Sequence, residues 1–299
     1  MAPMAGVTDR HFRTLVWEHG VGLTVSEMVS AKSIHYGNKK TMQLMDNEDS
    51  IRPWSIQFFG HEPDILNEAI KKLSDLPFDI VDINMGCPMP KIVKNGEGAA
   101  LMLNPPLAGK LIEAAVNASK RPVTVKIRLG FTRSNINASQ IARIAHESGA
   151  VLVTVHGRTR DEYYSGEADW EEIVKVKQNS KLPIVGNGDI NTPEIAALRL
   201  KQVDGIMIGR AACGNPWLFS RTLKYLESGV LPPEPSNKEV IETAIKHMND
   251  VYKSGDSLVQ MRKHLAWYTK GFPRSAEARK KINNAAGKDE MESILLGMI

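Results

Sequence analysis

The sequence predicts a (β/α)8 TIM barrel followed by an all-helical region, on three observations. Short apolar runs alternate with amphipathic stretches up to about Leu226. Several of those stretches open with proline, which the first turn of a helix accepts. After Gly229 the strand-like runs stop and only helical patterning continues. Strand–helix–strand repeats imply parallel pairing with right-handed crossovers. Eight such units in roughly 230 residues suit a barrel, whose usual length is about 250.

In chain order the strands are expected at 23–27, 55–59, 80–84, 123–128, 152–156, 184–187 and 205–208. That makes seven, and Ala2-Pro3-Met4 reads as the tail of an eighth, so the first strand is expected to be truncated. This stub is expected to lower stability relative to a chain extended at its N-terminus. Helices are expected at 9–18 behind a Thr/Asp cap, at 63–73 and 105–119 behind prolines, at 139–148 before Gly149, and at 170–178 and 193–200. A doubly wound open sheet is the alternative, but G-x-G-x-x-G does not occur: Gly96-Glu97-Gly98 and Gly186-Asn187-Gly188 both lack the third glycine. The division is 1–230 for the barrel, 231–236 with its Pro232-Pro233-Glu234-Pro235 as linker, and 237–299 as a helical domain.

The chain has 299 residues, 42% of them hydrophobic, and a net charge of +4, ordinary values for a globular protein. Its longest uncharged stretch, 98–109, is too short to cross a bilayer. No basic-then-apolar leader opens it, and its two cysteines, Cys87 and Cys213, make no disulfide framework. A reduced cytoplasmic compartment is expected. Residues 237–299 hold 11 Lys+Arg against 8 Asp+Glu, so +3 of the charge lies there. Between Gln260 and Lys281 seven basic residues meet one acid, Glu277, with Trp267, Tyr268 and Phe272 interleaved.

Strand alternation locates the chemistry. Alternate residues face opposite sides, and in a barrel one side meets the helices while the other fills the interior. Val123, Val125 and Ile127 belong outside, so Lys126 points inward. The same parity turns Gln57, Asn84, His156 and Asn187 inward. Five polar groups converge at the C-terminal mouth, where barrel enzymes place their sites. A lysine cation, three amides and an imidazole suit a flat heterocycle rich in carbonyl and N–H edges. Gly186-Asn187-Gly188-Asp189 and Gly209-Arg210 follow strands seven and eight, where barrels bind phosphate on backbone N–H groups. A phosphorylated planar cofactor such as FMN satisfies both halves.

Cys87 lies three residues past Asn84, in Asn84-Met-Gly-Cys-Pro88. A free thiol is mostly protonated at neutral pH, which suits a proton donor. The segment 89–101 after it reads as a mobile lid. Cys213, in Ala211-Ala-Cys-Gly214, reads as a small buried hydrophobe.

Taken together these pieces resemble the tRNA-dihydrouridine synthase family. The matches are Ala2-Pro3-Met4-Ala-Gly-Val-Thr-Asp9, Ser26-Glu27-Met28, Gln57, Asn84-Met-Gly-Cys-Pro88 with Gly98-Ala-Ala-Leu101, Val125-Lys126-Ile-Arg128, Val155-His-Gly-Arg-Thr159, Gly186-Asn-Gly-Asp189 and Ile208-Gly-Arg210. They run in the family's order over about 210 residues, a set far more specific than any member. Arg262-Lys-His-Leu-Ala-Trp-Tyr268 is similar to the C-terminal domain of the bacterial B-type branch.

The resemblance implies an FMN-bearing barrel that reduces uridine in tRNA to 5,6-dihydrouridine, with NADPH as electron donor. It implies that Pro3, Met4, Ala5, Gln57, Lys126, His156, Asn187, Gly188, Asp189, Gly209 and Arg210 contact FMN. It makes Cys87 the general acid and gives Asn84 and Arg158 the flipped uracil. Arg262 and Lys263 fall to tRNA phosphates. No metal, membrane or stable protein partner is expected. Two rivals remain open: a free-pyrimidine flavoenzyme of the dihydroorotate or dihydropyrimidine dehydrogenase type, which has no use for 260–281, and a tRNA-binding flavoprotein without turnover.

Overall fold

The structure is a computed structural model that describes residues 1–46 and 51–299. Its strands are β1 (Thr24–Val25), β2 (Val29–Ser30), β3 (Trp54–Phe59), β4 (Ile80–Met85), β5 (Val123–Arg128), β6 (Leu152–His156), β7 (Ile184–Asn187) and β8 (Gly205–Met207). All pair in parallel, in the order β1-β3-β4-β5-β6-β7-β8, with β2 also on β3. β1 lies against the start of β3 (Thr24 opposite Trp54) and β2 against its end (Val29 opposite Phe58), so the two form one broken stave. The gap between β8 and β1 is spanned by Met1 and Ala2. The Ala2 amide donates to the Ile208 carbonyl at 2.8 Å, and the Met1 amino group donates to the Leu23 carbonyl at 2.7 Å. Eight staves therefore ring the axis, as the strand count predicts, with Met1 and Ala2 in the place between β8 and β1.

Around the sheet lie α1 (Arg10–Glu18), α2 (Ala31–His35), α3 (Lys39–Gln43), α4 (Pro63–Lys72), α5 (Pro90–Val93), α6 (Pro105–Ala118), α7 (Ala138–Glu147), α8 (Trp170–Asn179), α9 (Pro193–Leu200) and α10 (Trp217–Ser228). Local chemistry starts them. Side chains of Asp9, Asn104, Asp169 and Thr192 accept the orphan amide of the third residue beyond, which satisfies donors that no preceding turn can reach. The outward strand residues Ile56, Phe58, Val81, Ile83, Val125, Ile127, Val153 and Val155 are all buried against those helices. Each such side chain removed from water contributes about 2 kcal/mol. Gly186 shows the same parity: a Cβ there would sit 2.5 Å from the Trp170 ring of α8.

The elements that sequence patterning misses are β2, α2, α3, α5 and α10. The first four are five residues or fewer, too short for either periodicity to register, whereas α10 has twelve residues and lies beyond the last helix expected in the barrel. The segment expected as a mobile lid has regular structure. It folds as α5 and a 3-10 turn at Gly98–Leu103, with Ala99, Leu101 and Met102 buried. Gly98 permits this: its φ is +60°, and a Cβ would lie 2.8 Å from the Cys87 carbonyl oxygen.

The chain then runs through 231–236, where Arg221 of α10 holds Pro232 by its carbonyl and Glu234 by an ion pair of 2.6 Å. The helices α11 (Asn237–Lys253), α12 (Met261–Tyr268), α13 (Ser275–Asn284) and α14 (Lys288–Leu296) follow, with no strand among them. A capping box between Ser236 and Glu239 starts α11. One apolar cluster runs from the barrel into these helices through Phe12, Met248, Leu265 and Tyr268.

Candidate active site

The inward faces of five staves meet at the C-terminal end of the barrel. Gln57 is 1% exposed, His156 and Asn187 are each 7% exposed, and Asn84 is 8% exposed. Lys126 Nζ donates to Asn187 Oδ1 at 3.1 Å, and Asn187 Nδ2 donates to the Met207 carbonyl at 2.7 Å. That couples β5, β7 and β8 across the mouth. Asn84 Oδ1 accepts the Cys87 amide at 2.9 Å and the Gly86 amide at 3.2 Å. From the opposite side the Arg128 guanidinium donates to the Gly86 carbonyl at 2.8 Å. The turn carrying Cys87 is thus gripped by β4 and β5.

Charges at the mouth are uneven. Lys126, Arg128, Arg158 and Arg210 all act on His156, and their repulsion joins burial in pushing the imidazole well below its ordinary range, so it is neutral at pH 7. Its Nε2 faces Arg158 Nη1 at 3.5 Å, which leaves the ring hydrogen on Nδ1. Burial lowers Lys126 to about 8, assisted by Arg128 and opposed by Asp82 and Cys87. The sequence suggests a fixed cation there; in the fold the group titrates within reach of physiological pH. Burial raises the Cys87 thiol, with the Met89 amide, Arg128 and Lys126 opposing. It stays protonated at pH 7, as a proton donor must.

At the strand ends the backbone donates without partners. Among the described residues, the amides of Gly188, Asp189, Gly209 and Arg210 meet no protein acceptor. The half-exposed Arg210 guanidinium stands beside them, 3.3 Å from Asp189. Gly188 has φ +130°, and a Cβ would come within 2.5 Å of the Ala168 methyl group, so only glycine turns the backbone there. Surplus donors, a lysine with one protein acceptor and unpaired amides form a site that fits an anion with a carbonyl-rich ring. Gly209 lies close to Ala2 and Met4, and Pro3 and Ala5 flank Met4 in the chain.

Several site expectations meet different surroundings. Arg158, expected on a uracil, is 1% exposed; it holds the Ser165 and Gly166 carbonyls and pairs with Asp189 at 2.7 Å. It braces the loop after β6 against the loop after β7, with no free face for a base. Arg262, expected on phosphate, turns inward and donates to the Ala285 carbonyl at 3.0 Å, closing the end of α13. Lys263 instead reaches the barrel, donating to the Gly6 carbonyl at 2.8 Å. Both ends of the Gln57 amide are engaged by protein, with Asp82 and Asn84. Among the interleaved aromatics, Tyr268 is a core residue at 2% exposure. Sequence reasoning missed Asp82, although the parity that turns Asn84 inward turns it inward as well, one layer deeper, beside Thr124, which alternation does place on the inner side with Lys126.

A parallel eight-stave barrel, a donor-rich mouth and a protonated thiol on a turn above it define a barrel enzyme that handles an anionic planar ligand. The chain belongs to the dihydrouridine synthase family, whose model, Dihydrouridine synthase (Dus), matches residues 1–297. It is 42% identical over 289 residues to a probable tRNA-dihydrouridine synthase of Rickettsia bellii, covering 95% of this chain and 89% of that protein. It is 41% identical over 290 residues to tRNA-dihydrouridine synthase B of Xanthomonas campestris pv. campestris, covering 95% of this chain and 87% of that protein. Among solved structures, histamine dehydrogenase from Rhizobium sp. 4-9 matches with a TM-score of 0.56 at 14% identity, over 75% of this chain and 43% of that one. That likeness is one of fold. No described helix is long and apolar enough to cross a membrane.

Proposed function

We propose that this protein reduces uridine in tRNA to 5,6-dihydrouridine, with FMN as its cofactor and NADPH as electron donor. The observation that carries the reading is the Cys87 turn, gripped by Asn84 and Arg128 over a mouth of surplus donors, in a chain of this family. Lys126, His156, Asn187 and Gln57 would hold the ring of the cofactor, and the backbone of Gly188–Asp189 and Gly209–Arg210 would take its phosphate. Bound there, FMN supplies the hydride. Cys87 supplies the proton that completes reduction of the uracil ring. Exposed Lys270, Arg274 and Lys280 offer cations to tRNA phosphates, while Arg262 keeps α13 in place. The compartment that fits this work is the cytoplasm.

The test is dihydrouridine mapping of tRNA from a strain lacking the gene. Loss of one or more dihydrouridines, restored by the gene, supports the proposal. An unchanged dihydrouridine map, or a purified protein that is colourless and takes up no added flavin, refutes it.

A separate expectation tests the phosphate cradle. Arg210→Ala should weaken FMN binding about tenfold, the worth of one charge-assisted contact, while leaving riboflavin affinity unchanged. Fluorescence titration with both ligands decides it. An equal loss for both would put the phosphate elsewhere.

A further inference from the structure

A buried carboxylate below the mouth, which the reading above does not use, is joined by hydrogen bonds to the turn that carries the thiol. Asp82 lies on β4, two residues before Asn84 and 6% exposed. Thr124 Oγ1 donates to its Oδ1 at 2.5 Å, and Gln57 Nε2 donates to its Oδ2 at 2.6 Å. The next links follow from that one. With its nitrogen on Asp82, Gln57 presents Oε1 to Asn84, whose Nδ2 donates to it at 2.8 Å. With its nitrogen so engaged, Asn84 presents Oδ1 to the Gly86 and Cys87 amides. Every amide in this chain of hydrogen bonds points the same way, and an amide read backwards would set nitrogen against N–H at the thiol turn. Neither glutamine nor asparagine fixes its own direction, since each carries a donor and an acceptor at one end. An acceptor at the bottom fixes both.

We propose that Asp82 is a positioning residue: through Gln57 and Asn84 it fixes the amide directions that hold the Cys87 turn in its proton-donating place. The proposal rests on Cys87 as the general acid, but the turn geometry can be tested without turnover. The groups facing Asp82 are Thr124 and Lys126 from β5, Gln57 from β3 and Asn84 from its own strand; burial raises its pKa, while Thr124, Gln57 and Lys126 oppose that shift.

The experiment is amide hydrogen exchange across 85–89 in the full-length protein, with Asp82→Asn and with the swap Asp82→Asn/Asn84→Asp. Asparagine at 82 keeps the shape but lets either end of its amide face Gln57, so exchange at Gly86 and Cys87 should accelerate about tenfold, the worth of one hydrogen bond. In the swap, the carboxylate at 84 accepts both turn amides and Gln57 Nε2, while Gln57 Oε1 accepts from the amide at 82. The chain is complete again, and protection should return. Rescue of this kind reports coupling between the two sites, which loss of packing alone would not produce. With tRNA and flavin present, Asp82→Asn should also slow uridine reduction about tenfold while flavin reduction by NADPH changes less than about twofold. Native-rate exchange in Asp82→Asn overturns the proposal. So does a swap no better protected, or no better folded, than the single variant. Intact exchange effects in a protein without dihydrouridine activity would instead overturn the functional reading and leave the positioning role standing.

Discussion

Replacing Cys87 by alanine is expected to abolish dihydrouridine formation while flavin reduction by NADPH continues within about twofold; loss of a positioned general acid costs about 100- to 10,000-fold. The thiol is only partly buried, and the turn beneath it is held by backbone contacts to Asn84 and Arg128. Truncation therefore leaves the site standing, and the melting temperature should barely move. Serine at 87 should rescue little, because a hydroxyl is a far weaker acid than a thiol. The decisive measurement is two half-reactions: stopped-flow flavin bleaching by NADPH, then reoxidation by unmodified tRNA. Loss of both in Cys87→Ala would assign the residue to flavin binding instead. Because burial raises the thiol, its acid form persists above neutrality.

Period-two alternation was enough to aim Lys126, His156, Asn84, Asn187 and Gln57 into the barrel, because a strand residue has only two directions available. Strand limits at 123–128, 152–156 and 184–187 coincide with β5, β6 and β7 for the same reason. What alternation cannot say is which inward polar group faces a ligand and which faces protein. Arg158 and Arg262 belong to recognisable motifs, yet each guanidinium ends on carbonyls of its own chain. Such pairings join residues brought together by loops, for which sequence carries no period. Asp82 was missed differently. It obeys the rule that located Asn84, but a carboxylate deep in a barrel reads as costly until its two donors, from β3 and β5, are in view. The broken stave of β1 and β2 was likewise hidden, since register against β3 and not local pattern makes the two pieces one.

Removing the Lys126 charge should make the ligand-free protein more stable at pH 7 and a poorer binder of flavin. In the fold its pKa is about 8 against 10.5 for the free side chain, and burial is the leading cause. The folded protein therefore holds its proton less tightly than the unfolded chain. Between pH 8 and 10.5 the unfolded chain carries a proton that the folded protein has released. By linkage, stability contributed by this group rises with pH across that window. Below pH 8 both states are protonated and the fold bears the full cost of the buried ammonium, about 3 kcal/mol at about 1.4 kcal/mol per unit. Lys126→Met removes that cost, less about 1 kcal/mol for the lost bond to Asn187. Calorimetry of the ligand-free proteins should show the variant melting higher at pH 7, with the gap narrowing by pH 9.5. FMN titration should show the opposite order, the variant binding at least about tenfold more weakly, because a cation facing an anionic ligand in a dry site outweighs the same cation in water. A variant that melts lower at pH 7, or a gap that ignores pH, would mean that the ammonium is already solvated or paired and that the mouth is not strained toward an anion. The two effects have one origin, since the field that makes the empty barrel reluctant to hold Lys126 charged is relieved when a negative ligand arrives.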